Sequence, residues 1–257
     1  LPDEVRRLES RYAEGSAERL IRLDGRWIAG LQGSRAYTAF DSRVQVRLQP
    51  PLDMRRPILW TWDFNVEPMC SLICQRHGDL FRVYRELVID TDASIQQMVQ
   101  YFHEAVPQHH GEVWVYGDAS GRARNDAIPG GRTEYGLVLN LMRTYGAPVR
   151  LKVPESNPAI PDRINAVNNQ LKDEQGVAHV EIDPSCVELI ADLEEVLRDN
   201  RGGLKKTSNR RDPYFRRTHS SDALGYLIVY EMPVRTTSVG QRVAATMRNI
   251  SYAFGRR

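Results

Sequence analysis

The sequence predicts an α/β fold: a central five-stranded mixed sheet in the order 3-2-1-4-5, flanked by helices. The first sign is a set of three short apolar runs, residues 58–64 (ILWTWDF), 70–75 (CSLICQ) and 80–89 (LFRVYRELVI), the last two joined by a His77-Gly78-Asp79 turn. Runs punctuated in this way form an antiparallel meander. The second is an amphipathic segment after Thr91 and Asp92, either of which can cap a helix, with Ile95, Met98, Val99 and Phe102 on one face. It delivers the chain to a fourth strand, residues 112–118 (EVWVYGD), and a crossover of this kind returns a strand parallel to its neighbour. The third is the alternation that follows. Helices near 134–145, 161–173 and 186–199 are separated by strands at 149–153 (VRLKV) and 178–182 (AHVEI), and a last helix runs from about Ser221 to Tyr230.

A chain of 257 residues with 41% hydrophobic content can bury such a core. Lys and Arg total 35 against 33 Asp and Glu, a formal net charge of +2, so any basic surface has to come from local clustering. No apolar run has the length of a membrane span and no signal peptide opens the chain, so no membrane partner is expected. Cys70, Cys74 and Cys186 form neither a CxxC pair nor an even framework, which predicts reduced core thiols rather than zinc or disulfides. Residues 1–50 read as a lead-in, with helical spacing over 3–24 (Val5, Leu8, Tyr12, Leu20, Ile21) and a glycine-punctuated aromatic stretch over 23–41. Residues 51–235 form the main domain, and 236–257 a weakly structured tail. Leu1, standing where an initiator Met would, predicts a piece of a longer polypeptide.

The chemistry lies at strand ends. Residues 59–68 (LWTWDFNVEP) place Asp63 directly after a buried aromatic run, and VWVYGDASG ends the fourth strand in Asp118. In the order 3-2-1-4-5 the two strands are neighbours, ~4.8 Å apart, so the carboxylates come close to touching. Their repulsion raises one pKa or calls for cations, and divalent ions ~3.5–4 Å apart are what such carboxylate sets bind in nucleases and polymerases. The crevice beyond the carboxyl ends of strands is also where α/β sheets bind ligands. A third acid, Asp222, falls in the first turn of the last helix, for which Ser220 and Ser221 offer caps. A helix N-terminus tolerates an anion, and a carboxylate suits a hard cation. Each acid also has a plain reading: Asp63 and Asp118 as turn residues, Asp222 as a helix cap. Because Asn caps as well as Asp, replacing Asp222 by Asn is expected to preserve stability.

Together, the meander, the tip acids and the late helical acid resemble the ribonuclease H-like nuclease fold. Their order and spacing are similar to the nuclease domain of viral terminase large subunits, the DNA-packaging motors of tailed phages. TWDFN resembles that family's first acid motif, VYGDASG its second and HSSDALGYL its third. PDRINAVNNQL (161–171) is similar to its helix after strand five, with Arg163 and Asn165 in familiar places, and GRWIAGLQGSRAYTAFD (25–41) resembles the segment joining ATPase to nuclease. The resemblance covers nearly the whole chain. It implies a metal-dependent endonuclease that cleaves double-stranded viral DNA concatemers with little sequence preference. It also implies two Mg²⁺ or Mn²⁺ ions bridged by Asp63, with Asp222 helping to hold the ion that activates water and Asp118 the one facing the leaving 3′ oxygen. The implied partners are double-stranded DNA, a portal, a small terminase subunit and an ATPase domain of the same polypeptide, in the host cytoplasm. No GxxxxGK[ST] loop is present, so ATP hydrolysis is not expected of these residues. For the fourth carboxylate common in ribonuclease H enzymes, Glu86 and Asp126 are the candidates.

Just before Asp222, residues 201–217 (RGGLKKTSNRRDPYFRR) carry seven Lys or Arg against Asp212 alone. Lys205, Lys206, Arg210, Arg211, Arg216 and Arg217 are expected to contact DNA phosphates and so draw a duplex onto repulsive carboxylates, with Arg122 and Arg124 as an extension. The plain alternative is a solvated charged face. His219 is expected to be structural or capping. Two rival functions stand: a Holliday-junction resolvase or transposase-like nuclease using the same triad, and a non-catalytic module docking a motor onto DNA or a portal.

Overall fold

The computed structural model describes residues 34–232, apart from 66, 108, 110, 125–131 and 147. The expected helix over 3–24, most of the linker stretch, Asp126 and the tail lie outside the described residues. The meander forms as expected: β1 (Ile58–Asp63), β2 (Met69–His77) and β3 (Leu80–Ile89) pair antiparallel. Gly78, at φ 67, takes the turn between β2 and β3, where a side chain would be strained. Strand β4 (Val113–Gly117) returns parallel to β1, and β5 (Val149–Leu151) lies parallel to β4.

The order 3-2-1-4-5 is present, but the sheet has six strands rather than five: β6 (Val180–Ile182) adds itself parallel to β3, giving β5-β4-β1-β2-β3-β6. Its three residues are too short to advertise pairing in the sequence, yet Val180 and Ile182 are fully buried. Helix α1 is a single turn (Ser42–Gln45), followed by α2 (Ile95–Ala105), α3 (Glu134–Thr144), α4 (Ile160–Leu171), α5 (Val187–Glu195) and α6 (His219–Glu231). Neither Thr91 nor Asp92 caps α2. Asp92 sits at φ 49, and Ser94 makes a reciprocal box with Gln97, satisfying two orphan amides at once.

The two faces of the sheet differ. Trp60 and Trp62 point with Ile58, Val113 and Val115 toward α2 and α3, where Phe102 stacks on Trp60. Leu59, Leu72, Cys74 and Tyr116 face the other way, toward α4, α5 and α6. The three cysteines are buried free thiols, as expected. Helix α6 is buried on nearly every side from Ser220 to Ile228, with Ala223, Leu224, Leu227 and Ile228 in the core of this layer. Burying Leu224, Leu227 and Ile228 stabilises its seat by roughly 1.5–3 kcal/mol each. The described part of the lead-in packs onto the same layer: Ala36, Tyr37 and Phe40 join its core, and Ala39 donates to Asn168 Oδ1 at 3.0 Å. Among the described residues no helix is long and apolar enough to cross a membrane.

Candidate active site

The parallel pairing of β1 and β4 runs from Ile58 opposite Val113 to Trp62 opposite Gly117. The next residue on each strand is an acid, Asp63 and Asp118. Gly117 makes this approach possible: its φ is 151, and a Cβ there would lie 2.7 Å from both the Trp62 carbonyl oxygen and the Tyr135 hydroxyl. Above the tips lies the first turn of α6, tied down where Thr61 Oγ1 donates to the Ala223 carbonyl at 2.5 Å. Asp222 is in that turn.

Each acid has its own partners. Asp63, 6% exposed, accepts from Asn65 Nδ2 at 2.5 Å and from His219 Nδ1 at 2.9 Å. The other ring nitrogen of His219 faces the Phe215 carbonyl at 3.3 Å, while Nδ1 meets both the Asp63 carboxylate and, at 2.9 Å, the Asn65 amide nitrogen. Burial pushes the Asp63 carboxyl up, further than the His219 bond pulls it down, and the Asp222 charge adds to the rise. Burial disfavours the His219 cation, but the bond to Asp63 and its charge outweigh this and raise the imidazole. Both groups are thus shifted upward, and two groups this close titrate together. His219 was legible in the sequence only as a structural residue; here it touches the first acid.

Asp118 caps the short 3₁₀ turn Ala119–Arg122, accepting from Ser120 N at 2.6 Å. Asn157 Nδ2 and the Tyr226 hydroxyl donate to its two oxygens at 2.7 and 3.0 Å. Burial alone would raise its pKa, but the Asn157, Ser120 and Tyr226 donors prevail and hold it below the ordinary value.

Asp222 is buried and doubly paired. Arg163 Nη2 of α4 donates to Oδ1 at 2.6 Å, and Lys206 Nζ, from the basic stretch, reaches Oδ2 at 3.0 Å. Neither serine caps α6: the cap position is Thr218, in the left-handed region at φ 84 and without a side-chain capping bond. The buried Asp192 of α5 does this work from a distance, accepting from Ser221 N at 3.0 Å and pairing with Arg217. Burial pushes Asp192 up to about 7, against the pull of the Ser221 amide and Arg217. Glu86 is engaged elsewhere, accepting from Glu188 N and Leu189 N at the start of α5.

The three acids surround Tyr226, and the charge of each one opposes its ionisation. Among the described residues, however, no three His, Cys, Asp or Glu side chains converge closely enough to hold a metal ion. Each acid has its own partners: His219 and Asn65 at Asp63, neutral donors at Asp118, and Arg163 with Lys206 at Asp222.

The basic stretch is likewise spoken for in part. Lys206 is on Asp222, and Arg210 pairs with Glu67 at 2.7 Å. Arg216 bridges Asp90 and Glu188, while Arg217 joins Glu188, Asp192 and Glu195. Lys205 lies over the Tyr214 ring, and Arg211 is exposed. Arg122 donates to the Val153 carbonyl. Asn157, Tyr226, Asp192 and the role of Arg163 were missed in the sequence. The one signal available was Gly225, a costly residue inside a helix, in the segment DALGYL.

Acids at the carboxyl tips of adjacent parallel strands, beneath a buried helix that carries a third, define an α/β protein of ribonuclease H-like fold. Among the solved structures it matches are large terminases. A large terminase from a thermophilic bacteriophage, in complex with ADP, is similar over 89% of this chain and 52% of that one, at 16% identity and a TM-score of 0.61. The P22 large terminase nuclease domain is similar over 80% of this chain and all of its own length, at 12% identity and a TM-score of 0.55. This chain thus spans about half the length of the thermophilic-phage terminase. No family model and no curated protein sequence matches it.

Proposed function

We propose that this chain is a metal-dependent endonuclease that cleaves double-stranded DNA during viral genome packaging. The observation that carries the reading is the β1–β4 register, which ends both strands in an acid beneath the helix bearing Asp222. The fold shared with the P22 large terminase nuclease domain supports it. By chemistry the donors fit: Asp63, Asp118 and Asp222 offer hard carboxylate oxygens of the kind Mg²⁺ and Mn²⁺ prefer, although among the described residues they do not converge as one ligand set. These three would hold two such ions, whose chemistry when bound is to activate water and neutralise a leaving 3′ oxygen. The chain's own cations cover Asp222 meanwhile. Lys206 reaches Asp222 from an exposed stem, and phosphates of an arriving duplex compete for its ammonium. Lys205, Lys206, Arg210 and Arg211, all exposed, are placed to contact phosphates alone, which gives little sequence preference. Arg216 and Arg217 serve first as anchors of the loop that precedes α6.

The proposed partners are double-stranded DNA and, in a packaging motor acting in the host cytoplasm, an ATPase domain of the same polypeptide, a portal and a small terminase subunit. The fold in common with the thermophilic-phage large terminase, captured with ADP, supports this setting. A second reading, a non-catalytic docking module, draws on the dispersed partners of the three acids. Incubating the chain with supercoiled plasmid in Mn²⁺, Mg²⁺ or chelator separates them. Nicking with either ion and none with chelator is expected, and intact plasmid under every condition would leave the docking reading.

A further inference from the structure

We propose that Tyr226 is a positioning residue for Asp118, and that Arg163 in turn fixes Tyr226. This rests on the nuclease reading, since it concerns how that site is held together.

Three contacts and one close backbone approach build the arrangement. The Tyr226 hydroxyl donates to Asp118 Oδ2 at 3.0 Å, bridging α6 to the tip of β4. The Arg163 guanidinium lies over the Tyr226 ring, 4.3 Å from its centroid, in the geometry of a cation–π contact. The same guanidinium donates to Asp222 Oδ1 at 2.6 Å, and Asp222 and Tyr226 are one helical turn apart, on one face of α6. Between them stands Gly225, where a Cβ would lie 2.6 Å from Arg163 Cγ and 2.9 Å from its Cδ. The stem of Arg163 occupies the space a side chain would need.

These contacts make one rigid unit of three elements. Helix α4 supplies the arginine, α6 the Asp222–Gly225–Tyr226 face that receives it, and β4 the acid at the far end. Arg163 and Asp222 are both nearly fully buried, at 6% and 2% exposure, so the guanidinium has few other places to go. Asp118 has no charged partner of its own among the contacts described for it; its ionised oxygens are held by Asn157, Ser120 N and Tyr226. Of these only Tyr226 comes from the helix that carries Asp222. It is therefore the group that ties Asp118 and Asp222 to a common frame.

The test is Tyr226→Phe, which keeps the ring, its burial and the arginine stack but deletes the hydroxyl. Three measurements are made: thermal unfolding without metal, Mn²⁺ binding by calorimetry without DNA, and plasmid nicking across a Mn²⁺ titration. The variant should stay folded, losing no more stability than Asp118→Asn, yet need about tenfold more Mn²⁺ for half-saturation, the scale of one hydrogen bond to a charged group. Its KM for DNA should stay put, because the phosphate-contacting residues are untouched. Arg163→Lys, which preserves the charge opposite Asp222 but loses the planar stack, should shift the Mn²⁺ requirement the same way. Wild-type Mn²⁺ binding and nicking in Tyr226→Phe overturns the proposal, and wild-type behaviour in Arg163→Lys overturns its second half. Asp118→Asn distinguishes the two failures. If it nicks and binds Mn²⁺ like wild type, the nuclease reading falls and the proposal with it; if it is inert while Tyr226→Phe is normal, only the positioning role falls.

Discussion

Asp63 and Asp118 end adjacent strands of one sheet, yet the fold treats their carboxylates in opposite ways. Asp63 is almost sealed, faces an imidazole and feels the charge of Asp222, and its pKa is raised. Asp118 is half-buried and surrounded by an amide, a backbone N–H and a phenol, and its pKa is lowered. One tip answers a negative charge with a titratable cation, the other with fixed dipoles. Dipoles keep a carboxylate ionised to lower pH, whereas an imidazole partner keeps a proton in play. In the proposed nuclease, two acids whose environments separate their pKa values in this way would take different tasks in one reaction.

The largest expected effects test that division directly. Asp63→Asn and Asp118→Asn should each lower nicking by at least about a hundredfold, the scale of removing one charge-stabilising group from a reacting centre. Their metal-free stabilities should diverge. Asp63→Asn removes a carboxylate that burial disfavours, so unfolding in denaturant should show no loss or a gain. Asp118→Asn gives up a hydrogen bond to an ionised group and should cost ~1–2 kcal/mol. Stability changes of the same sign and size in both variants would erase the distinction between the tips.

Next come the buried pairs behind the tips. Asp222→Asn leaves the Arg163 guanidinium buried opposite a neutral amide, and Arg217→Ala leaves Asp192 and Glu188 without their shared cation. Breaking one side of such a pair costs ~3–5 kcal/mol, so both should be clearly destabilised in equilibrium unfolding. This reverses the sequence expectation for Asp222, which treated it as a cap that Asn could replace. Wild-type stability in Asp222→Asn would mean that Arg163 finds another partner at little cost.

The contrast between legible and hidden parts follows from range. The meander, the crossover and the tip acids were visible because each is a local pattern: alternating apolar runs closed by turn residues, with Asp63 and Asp118 directly after them. Strand β6 was read as a strand, but three residues could not show that it joins β3. The partners were invisible for a stronger reason. Asp63 and His219 are separated by 156 residues, Asp118 and Tyr226 by 108, and no spacing rule spans such distances. The basic run misled in the opposite sense: seven cations against one acid looks free in sequence, but Glu67, Asp90, Glu188 and Asp192 arrive from elsewhere in the fold.

A smaller effect should appear in the pH dependence of stability. A carboxyl raised in the folded state binds its proton more tightly than the unfolded chain does, so its contribution is full below pH 3.8 and is lost as pH rises. Asp63 follows this sense, and Asp192 does too, over a window reaching about 7. Asp118, lowered, contributes above 3.8 and loses its contribution only as pH falls below that value. Asp192→Asn should therefore flatten the decline in stability between pH 3.8 and about 7, by at most ~1.4 kcal/mol per pH unit. Asp118→Asn should leave that window alone and act only at lower pH. Chemical denaturation at a series of pH values measures both.

The smallest effect is expected at Arg211, where neither tip is touched. Its neighbours in the basic stretch are tied to acids of the fold, so replacing Arg216 or Arg217 mixes lost DNA contacts with lost structure. Arg211 is exposed, and the hydrogen bond at its position is made by the backbone, from Arg211 N to Asn209 Oδ1, so truncating the side chain spares it. Arg211→Ala should unfold like wild type and leave Mn²⁺ binding unchanged, because it reaches neither Asp63 nor Asp118. If it contacts one phosphate, the slope of log binding constant against log salt should become shallower by about 0.9. An unchanged slope would make Arg211 part of a solvated face and shift the proposed phosphate contacts to Lys205, Lys206 and Arg210. Loss of Mn²⁺ affinity instead would mean that the basic stretch and the acid tips are one electrostatic unit, and the two tips could then no longer be compared apart from it.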